Sequence, residues 1–460
     1  MRWIPDRFLS VWRRALALGW PVAVQQLFNT LMRTVDILVT GLFSPAAIAA
    51  IGLADLYAQV PLRVGLGLGT GAIAISSQDT GRGAVGTRNR AITQALLLGF
   101  LCGLPFVAVG LLFGTDLIAL LGADSAVVSL GGLYLAIVFA AAPMRIVGLV
   151  GARSLQGTGD TRTPMAINVG ANLLNISLTV TLGLGLWIAP ELGVAGVGIG
   201  TFVSRTVEGL SVLAVFAAPR GDRSLARPRS FTITRQLVGV SVPNFAEGMS
   251  TSVANFPFNA LLLTFGTGPN AAYHVSRRLY QQLAAPFSRS FSTVSSIIVG
   301  QTLGEGDPDR ARYQTGALLA LSLLVLGSVG VVVFLGAGLF VRIFTRDAAI
   351  IDEAIAFTRV FAVSMLFVAI FYPLSGALRG AGDTRTPFYA RFLGSFVFML
   401  GVSYLLGIAL GYGLAGTYIG VGLSFACWAG VVMAGVRWGN WIEKATVMIE
   451  QRAETEGSNK

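Results

Sequence analysis

The sequence predicts an all-α polytopic membrane protein: twelve transmembrane helices in two six-helix bundles, related by a pseudo-twofold axis along the membrane normal. Three observations carry this. The chain is 54% hydrophobic and only 12% charged, with a mean hydropathy of +0.72, whereas soluble domains carry about 25% charged residues. Apolar stretches of about 20 residues recur along it, each long enough to cross a hydrocarbon core of about 30 Å. The word Gly-Asp-Thr-Arg-Thr-Pro occurs at Gly159–Pro164 and again at Gly382–Pro387, 223 residues apart. Between Leu155–Pro164 and Leu378–Pro387, eight of ten positions are identical. So long a word repeated at half the chain length marks a duplication.

Hydropathy places the spans at about 15–40, 46–77, 91–114, 126–150, 164–188, 193–217, 236–265, 270–299, 314–343, 353–377, 387–411 and 413–436. Arg2, Arg7, Arg13 and Arg14 precede the first. The apolar run after them is too long and too polar for a signal peptide, so it reads as a retained span. The 57 glycines let helix backbones approach closely. Cys102 and Cys427 both fall inside spans, which disfavours a disulfide framework.

Loop charges set the orientation. The loops after spans 2, 4, 6, 8 and 10 carry Arg82, Arg88 and Arg90; Arg153 and Arg162; Arg220, Arg223, Arg227, Arg229 and Arg235; Arg310 and Arg312; Arg379 and Arg385. The loops after spans 1, 7 and 11 carry no charge. This is the positive-inside bias, and it places both termini in the cytoplasm. It also accounts for the net charge of +11 without a nucleic-acid partner. The expected division is a first lobe over 1–218, a basic cytoplasmic linker over 219–235, a second lobe over 236–437 and a polar cytoplasmic tail over 438–460. The tail should form a surface helix.

The repeat reaches beyond its word. Pro21 pairs with Pro243, and Gln78-x-x-Gly81-x-Gly83 with Gln301-x-x-Gly304-x-Gly306, at offsets of 222 and 223. Six spans per half put both halves the same way up. Repeats of this kind build secondary transporters, with a substrate site near the midplane. In the duplicated word itself, Gly ends one helix, Thr caps the next and Pro opens it.

Polar residues inside spans are costly, and those that persist usually face a cavity. Span 1 carries Gln25, Asn29, Arg33, Asp36 and Thr40 at steps of 4, 4, 3 and 4 residues, hence on one face. Asp36 suits a cation or proton site, since a carboxylate in low dielectric needs a proton or a counter-ion. Arg33 one turn earlier supports the alternative of a self-neutralised packing pair. Span 5 carries Asn168, Asn172, Asn175 and Thr179, whose oxygens suit Na⁺ or a proton-bridging network, or else plain inter-helix hydrogen bonding. Span 7 carries Glu247, Thr251, Asn255 and Asn259 four residues apart, with Glu247 at the repeat position of Gln25. Arg205 and Glu208 read as an intrahelical pair.

The second half lacks these features. The span 5 stripe maps onto Arg391, Ser395, Phe398 and Val402, and Asp36 maps onto Phe258. An ion site between spans 1 and 5 is therefore expected. The second half should add an aromatic wall of Phe258, Phe287, Phe371, Tyr372, Phe388 and Phe398. The expected substrate cavity is Gln25, Asn29, Arg33, Asn168, Asn172, Glu247, Asn255, Phe258 and Tyr372.

No phosphate-binding G-x-x-x-x-G-K-[ST] word occurs, and one histidine cannot build a histidine-based metal cluster. No enzymatic activity and no cofactor are expected, and no selectivity-filter loop favours a channel.

The twelve spans, the parallel repeat, Pro21 followed by Asp36 and the paired Gly-Asp-Thr-Arg-Thr-Pro and Gln-x-x-Gly words together resemble the multidrug and toxic compound extrusion (MATE) family over about residues 11–437. The closest likeness is to its bacterial and archaeal DNA-damage-inducible-type branch. The resemblance implies efflux of amphipathic, often cationic, drug-like compounds in exchange for H⁺ or Na⁺ by alternating access. It also implies a monomer, surrounded by lipid, spanning the plasma (cell inner) membrane. Carried over by position, Asp36, Asn175, Thr179 and Thr201 form the ion-coupling site, with Na⁺ held at Asp36, Asn175 and Thr201. Thr179 stands where that branch has an acid, which leaves one carboxylate in the site. Glu247 resembles the span 7 acid of other branches. Arg33, Arg63, Arg289 and Arg391 within spans keep open a lipid-linked oligosaccharide flippase of the same superfamily. A non-transporting receptor or assembly factor is the alternative of another class.

Overall fold

The computed structural model describes residues 6–186, 189–218, 222, 224–228 and 231–457. The described elements are all helical. The first half gives α1 (Asp6–Gly41), α2 (Pro45–Gly81), α3 (Val85–Ala119), α4 (Ser125–Ala140), α5 (Ala142–Gly157), α6 (Arg162–Leu184) and α7 (Val194–Ala217). The second gives α8 (Phe231–Leu263), α9 (Thr267–Leu283), α10 (Ala285–Gly304), α11 (Pro308–Leu335), α12 (Ala337–Phe344), α13 (Ala348–Gly380), α14 (Arg385–Leu393), α15 (Leu414–Trp438) and α16 (Trp441–Gly457).

These helices fill the twelve expected spans, with four departures from straight α-helix. Span 4 is α4 plus α5, bent by 46°. Pro143 opens α5, because proline lacks the N–H that would continue the preceding helix. Span 8 breaks in the same way, with a proline in the first turn of α10. Span 9 breaks at Gly336, between α11 and α12. Span 11 continues α14 through π-helical turns at Gly394–Val402 and Leu405–Ala409. Among the described residues, eight helices are long and apolar enough to cross a membrane, or nine when α4 and α5 count as one span. Polar stripes keep α1 and α8 below that threshold.

The chain forms two compact units: Met1–Ala23 with Val242–Gln451, and Val24–Ser241 with Arg452–Lys460. We call the second of these the first-half unit and the other the second-half unit.

In the first-half unit, α3 lies against α4 because its facing residues are small. A Cβ at Gly110 would fall 2.6 Å from Phe139 Cβ, and one at Gly114 2.9 Å from the Gly132 carbonyl oxygen. Ala50, Ala54, Ile118, Leu135 and Val197 are fully buried in its core. Of the basic linker, residues 219–221, 223 and 229–230 lie outside the described residues. Its described part is pinned to the start of α3: the Asp222 carbonyl accepts from Arg88 Nη2 (2.8 Å) and Asn89 Nδ2 (2.9 Å).

The tail forms a helix with most of its side chains exposed, as its polarity suggests, but one of its arginines is buried. Arg452 is 1% exposed and sits in a polar cradle of the first-half unit. Its Nε donates to Asp79 Oδ1 (3.1 Å), Nη1 to Gln236 Oε1 (2.6 Å) and Nη2 to Gln78 Oε1 (2.8 Å). Burial lowers the guanidinium pKa from its ordinary value, and the fully buried Asp79 carboxylate opposes that shift. The second-half unit treats the repeat partner of Gln78 alike: Gln301 Oε1 accepts from Arg14 Nη2 at 2.6 Å. Each Gln-x-x-Gly word thus offers its glutamine oxygen to an arginine near a chain terminus.

The core of the second-half unit is aromatic, with Phe258, Phe357, Phe371 and Trp441 essentially buried. The duplicated word makes the same turn in both units. Gly159 and Gly382 take φ of +90° and +86°, a region open to glycine. The following aspartate, not a threonine, caps the next helix. Asp160 accepts from the Thr163 amide (3.0 Å) and hydroxyl (2.7 Å), and Asp383 from the Thr386 hydroxyl (2.6 Å). Thr161 and Thr384 stand at the N-cap positions without a side-chain cap bond. The carboxylate outcompetes the hydroxyl because its two oxygens can serve two donors at once. Asp383 also holds Lys444 at 2.9 Å.

Arg452→Ala leaves Asp79 buried with its main cation removed, a loss of about 3–5 kcal/mol. Thermal melting of the purified protein should fall by many degrees. A melting temperature equal to the parent's would show that the cradle contributes nothing.

Candidate functional site

In the first-half unit, three helices bring the expected polar residues together. α1 contributes Asn29, Met32 and Asp36. α6 contributes Asn168, Asn172, Asn175 and Thr179 at helical spacing, each no more than 9% exposed. α7 contributes Thr201, Ser204, Arg205 and Glu208.

The asparagine stripe serves two different centres. Its C-terminal part serves Asp36. Thr179 Oγ1 donates to Asp36 Oδ1 at 3.2 Å. The Asn175 amide, oriented to satisfy its neighbours, donates its nitrogen to Asp36 Oδ1 at 3.3 Å. Its oxygen then accepts from Ser204 Oγ (3.2 Å) and Thr201 Oγ1 (3.3 Å). Asp36 Oδ2 receives no hydrogen bond from any described residue, and Asp36 is only partly buried. All the direct side-chain donors to this carboxylate are neutral, and no described cation pairs with it.

The N-terminal part of the stripe serves an ion pair. Arg205 Nη1 donates to Glu208 Oε2 at 2.7 Å. Arg205 Nη2 reaches Asn172 Oδ1 (3.2 Å) and Met32 Sδ (3.0 Å). Asn168 Nδ2 donates to Glu208 Oε1 at 2.8 Å. Asn172 Nδ2 donates to Asn168 Oδ1 (2.9 Å) and Asn29 Oδ1 (3.0 Å). The Arg205–Glu208 pair is intrahelical, as its spacing indicates. Its spacing gave no sign that it would also engage Asn168 and Asn172, because those contacts cross helices.

The remaining candidates are placed as follows. Gln25 is buried, and its Oε1 accepts from Gln156 Nε2 at 3.1 Å. Arg33 is exposed. In the second-half unit, Asn255 and Asn259 donate to carbonyls one turn back on their own helix, both at 2.7 Å. Phe258 is fully buried, edge-on to Tyr273 with ring centres 5.1 Å apart. Glu247 is bound by arginines. Arg379 Nη2 donates to both of its oxygens (2.8 and 2.7 Å), and Arg391 Nε lies 3.3 Å from Oε1. Tyr372 OH accepts from Arg391 Nη2 at 3.2 Å.

One contact exposes what the duplication kept. Gln25 and Gln156 map onto Glu247 and Arg379 at offsets of 222 and 223. The same helix–helix contact is an amide pair in one unit and an ion pair in the other. The offsets were legible in the sequence, but the pairing required the third dimension. Among the described residues, no group of three or more His, Cys, Asp or Glu could hold a metal ion. The oxygens around Asp36 (one carboxylate, one amide and three hydroxyls) instead suit a proton or a hard monovalent cation.

A family model described as MatE matches residues 21–181 and 243–405, once per half. Relatives include the "Probable multidrug resistance protein NorM" of Thermotoga maritima, 25% identical over 453 residues, covering 97% of this chain and 96% of the relative. The "Uncharacterized transporter YisQ" of Bacillus subtilis is 24% identical over 443 residues, covering 93% and 94%. Among solved structures, "Crystal structure of MATE in the bent conformation" superposes with a TM-score of 0.86 at 20% identity, covering 96% of this chain and 97% of that one.

Replacing Glu247→Gln and Arg379→Gln together copies the amide pair of the first-half unit, and the double variant should melt close to the parent. Glu247→Gln alone leaves two guanidiniums without their carboxylate and should lose about 3–5 kcal/mol. Equal losses in both variants would show that the two contacts are not equivalent.

Proposed function

The chain belongs to the MatE family, and we propose that it is a secondary active efflux antiporter. It would export amphipathic, often cationic, drug-like compounds in exchange for H⁺ or Na⁺, by alternating access. The family match and the relatives named as multidrug resistance proteins support the transport class. The observation that carries the coupling reading is Asp36: a partly buried carboxylate held by neutral donors, with Oδ2 open.

A carboxylate so placed changes its cost with its occupant. Bare, it needs every hydrogen bond its neighbours can make. Protonated, it becomes a donor, and Asn175 can turn its amide so that the carbonyl accepts that proton. A Na⁺ ion would ask the same of Asn175, with the Thr179 and Thr201 hydroxyl oxygens and Asp36 completing an oxygen shell. The Asn175 rotation breaks or remakes bonds to Thr201 and Ser204 on α7. Ion occupancy would in this way be communicated from α1 to α7. Glu208 is neutralised by Arg205 and Glu247 by Arg379, so neither offers an equivalent free carboxylate.

The available driving force is sufficient: about 1.4 kcal/mol per proton per pH unit and about 2.3 kcal/mol per charge per 100 mV. The loop charges support an orientation with both termini in the cytoplasm.

The test is export of a fluorescent organic cation from proteoliposomes, driven separately by a proton and a sodium gradient. One gradient should drive export, and Asp36→Asn should abolish it while leaving protein level and melting intact. Undiminished gradient-driven export by Asp36→Asn would overturn the coupling role. No export under either gradient would count against antiport.

A further inference from the structure

The charge balance around Glu247 points to a binding function that the coupling site does not use. One carboxylate faces two guanidiniums. Arg379 satisfies it with two short bonds, leaving Arg391 the longer 3.3 Å approach. One positive charge in this cluster is therefore uncompensated. The duplication identifies the excess. Arg379 stands at the position of Gln156 and reproduces that contact in ionic form. Arg391 stands at the position of Asn168, where the first-half unit has a neutral donor.

Arg391 is also built in place. Its guanidinium carbon lies 4.2 Å from the Trp428 ring centre, 4.8 Å from Phe371 and 5.7 Å from Tyr372. Aromatic faces stabilise a cation while leaving its N–H edge free for hydrogen bonding. Nη2 donates to Tyr372 OH, so that hydroxyl's own proton is available to a further acceptor. Nη1 has no hydrogen-bond partner among the described residues. The side chain of Arg391 keeps 16% of its surface accessible, so the cluster is not sealed. One turn further along the helix, Ser395 is buried with its hydroxyl unpartnered.

We infer that Arg391, with Tyr372 beside it, is a receptor for the anionic group of an amphipathic monoanion. A planar guanidinium fork and an adjacent hydroxyl donor match a carboxylate, sulfonate or phosphate monoester oxygen pair. The positive excess gives no comparable welcome to a cation. This extends the ligands of the protein beyond the cationic class. It concerns equilibrium binding and does not rest on the antiport reading.

The test uses the full chain in phosphatidylcholine nanodiscs without any ion gradient. Energy transfer from tryptophan to 1-pyrenebutyrate is compared with transfer to neutral 1-pyrenebutanol. The acid should bind the parent about tenfold or more tightly than the alcohol. Arg391→Gln should lower acid binding to the level of the alcohol, and unchanged binding of the alcohol reports that the variant is folded. Arg391→Lys, which keeps the charge but not the fork, should fall between them. A second arm counts phosphatidylglycerol retained by the detergent-purified protein in native mass spectrometry. Retention by the parent that is lost in Arg391→Gln would identify a lipid phosphate as an occupant of the same site. No such difference, together with the acid preference, would assign the site to soluble anions. Equal affinity for acid and alcohol in the parent, or a preference that survives Arg391→Gln, would overturn the proposal.

Discussion

A charge removed from water among apolar helices must be paired, neutralised or given several hydrogen bonds, and this constraint sorts the polar residues of the chain. Asp79 is held by Arg452, Glu208 by Arg205, Glu247 by Arg379 and Arg391, and Asp383 by Lys444. Asp36 is treated differently. It is partly buried, yet its direct partners are a threonine hydroxyl and an asparagine amide. The ion pairs fix structure. Under the proposed antiport, the carboxylate held only by neutral donors is the one left able to take up and release a proton or cation.

The duplication makes this division visible. Where the halves agree, the residues do mechanical work. The Gly-Asp-Thr-Arg-Thr-Pro turns are closed by the same Asp–Thr bond, and the two Gln-x-x-Gly words each receive an arginine. Where they disagree, the chemistry changes. Asp36 is opposed by the core residue Phe258, and Asn168 by Arg391. The backbone diverges as well, since α6 is a regular α-helix while its counterpart runs into π-helical turns from Gly394. Such turns shift the face a helix presents and are frequent at functional positions.

The fold was largely legible in the sequence, and for a physical reason. Membrane spans announce themselves by hydropathy and length, and a duplication announces itself by identity at a fixed offset. The Asn168–Thr179 stripe was legible because helical spacing puts those residues on one face. Its division between Asp36 and the Arg205–Glu208 pair was not, because it depends on which helix packs opposite each turn. Arg452 and Asp79 are 373 residues apart, and nothing local in the tail marks one arginine as buried. The Asp160 cap was open to inspection, since aspartate precedes threonine in the word, but composition alone does not choose between two capping oxygens. The breaks at Pro143 and Gly336 were weak signals, because membrane helices often carry proline and glycine without breaking.

The central claim is that one carboxylate, Asp36, exchanges the coupling ion while Asp79, Glu208 and Glu247 remain paired with arginines. The most direct measurement counts the cations released when saturating substrate is added to purified protein, protons by pH-stat and Na⁺ by radiolabel. The account predicts about one cation per chain, absent in Asp36→Asn and retained when Glu247→Gln and Arg379→Gln are combined. Release that persists in Asp36→Asn, or that disappears in the double variant, would contradict it.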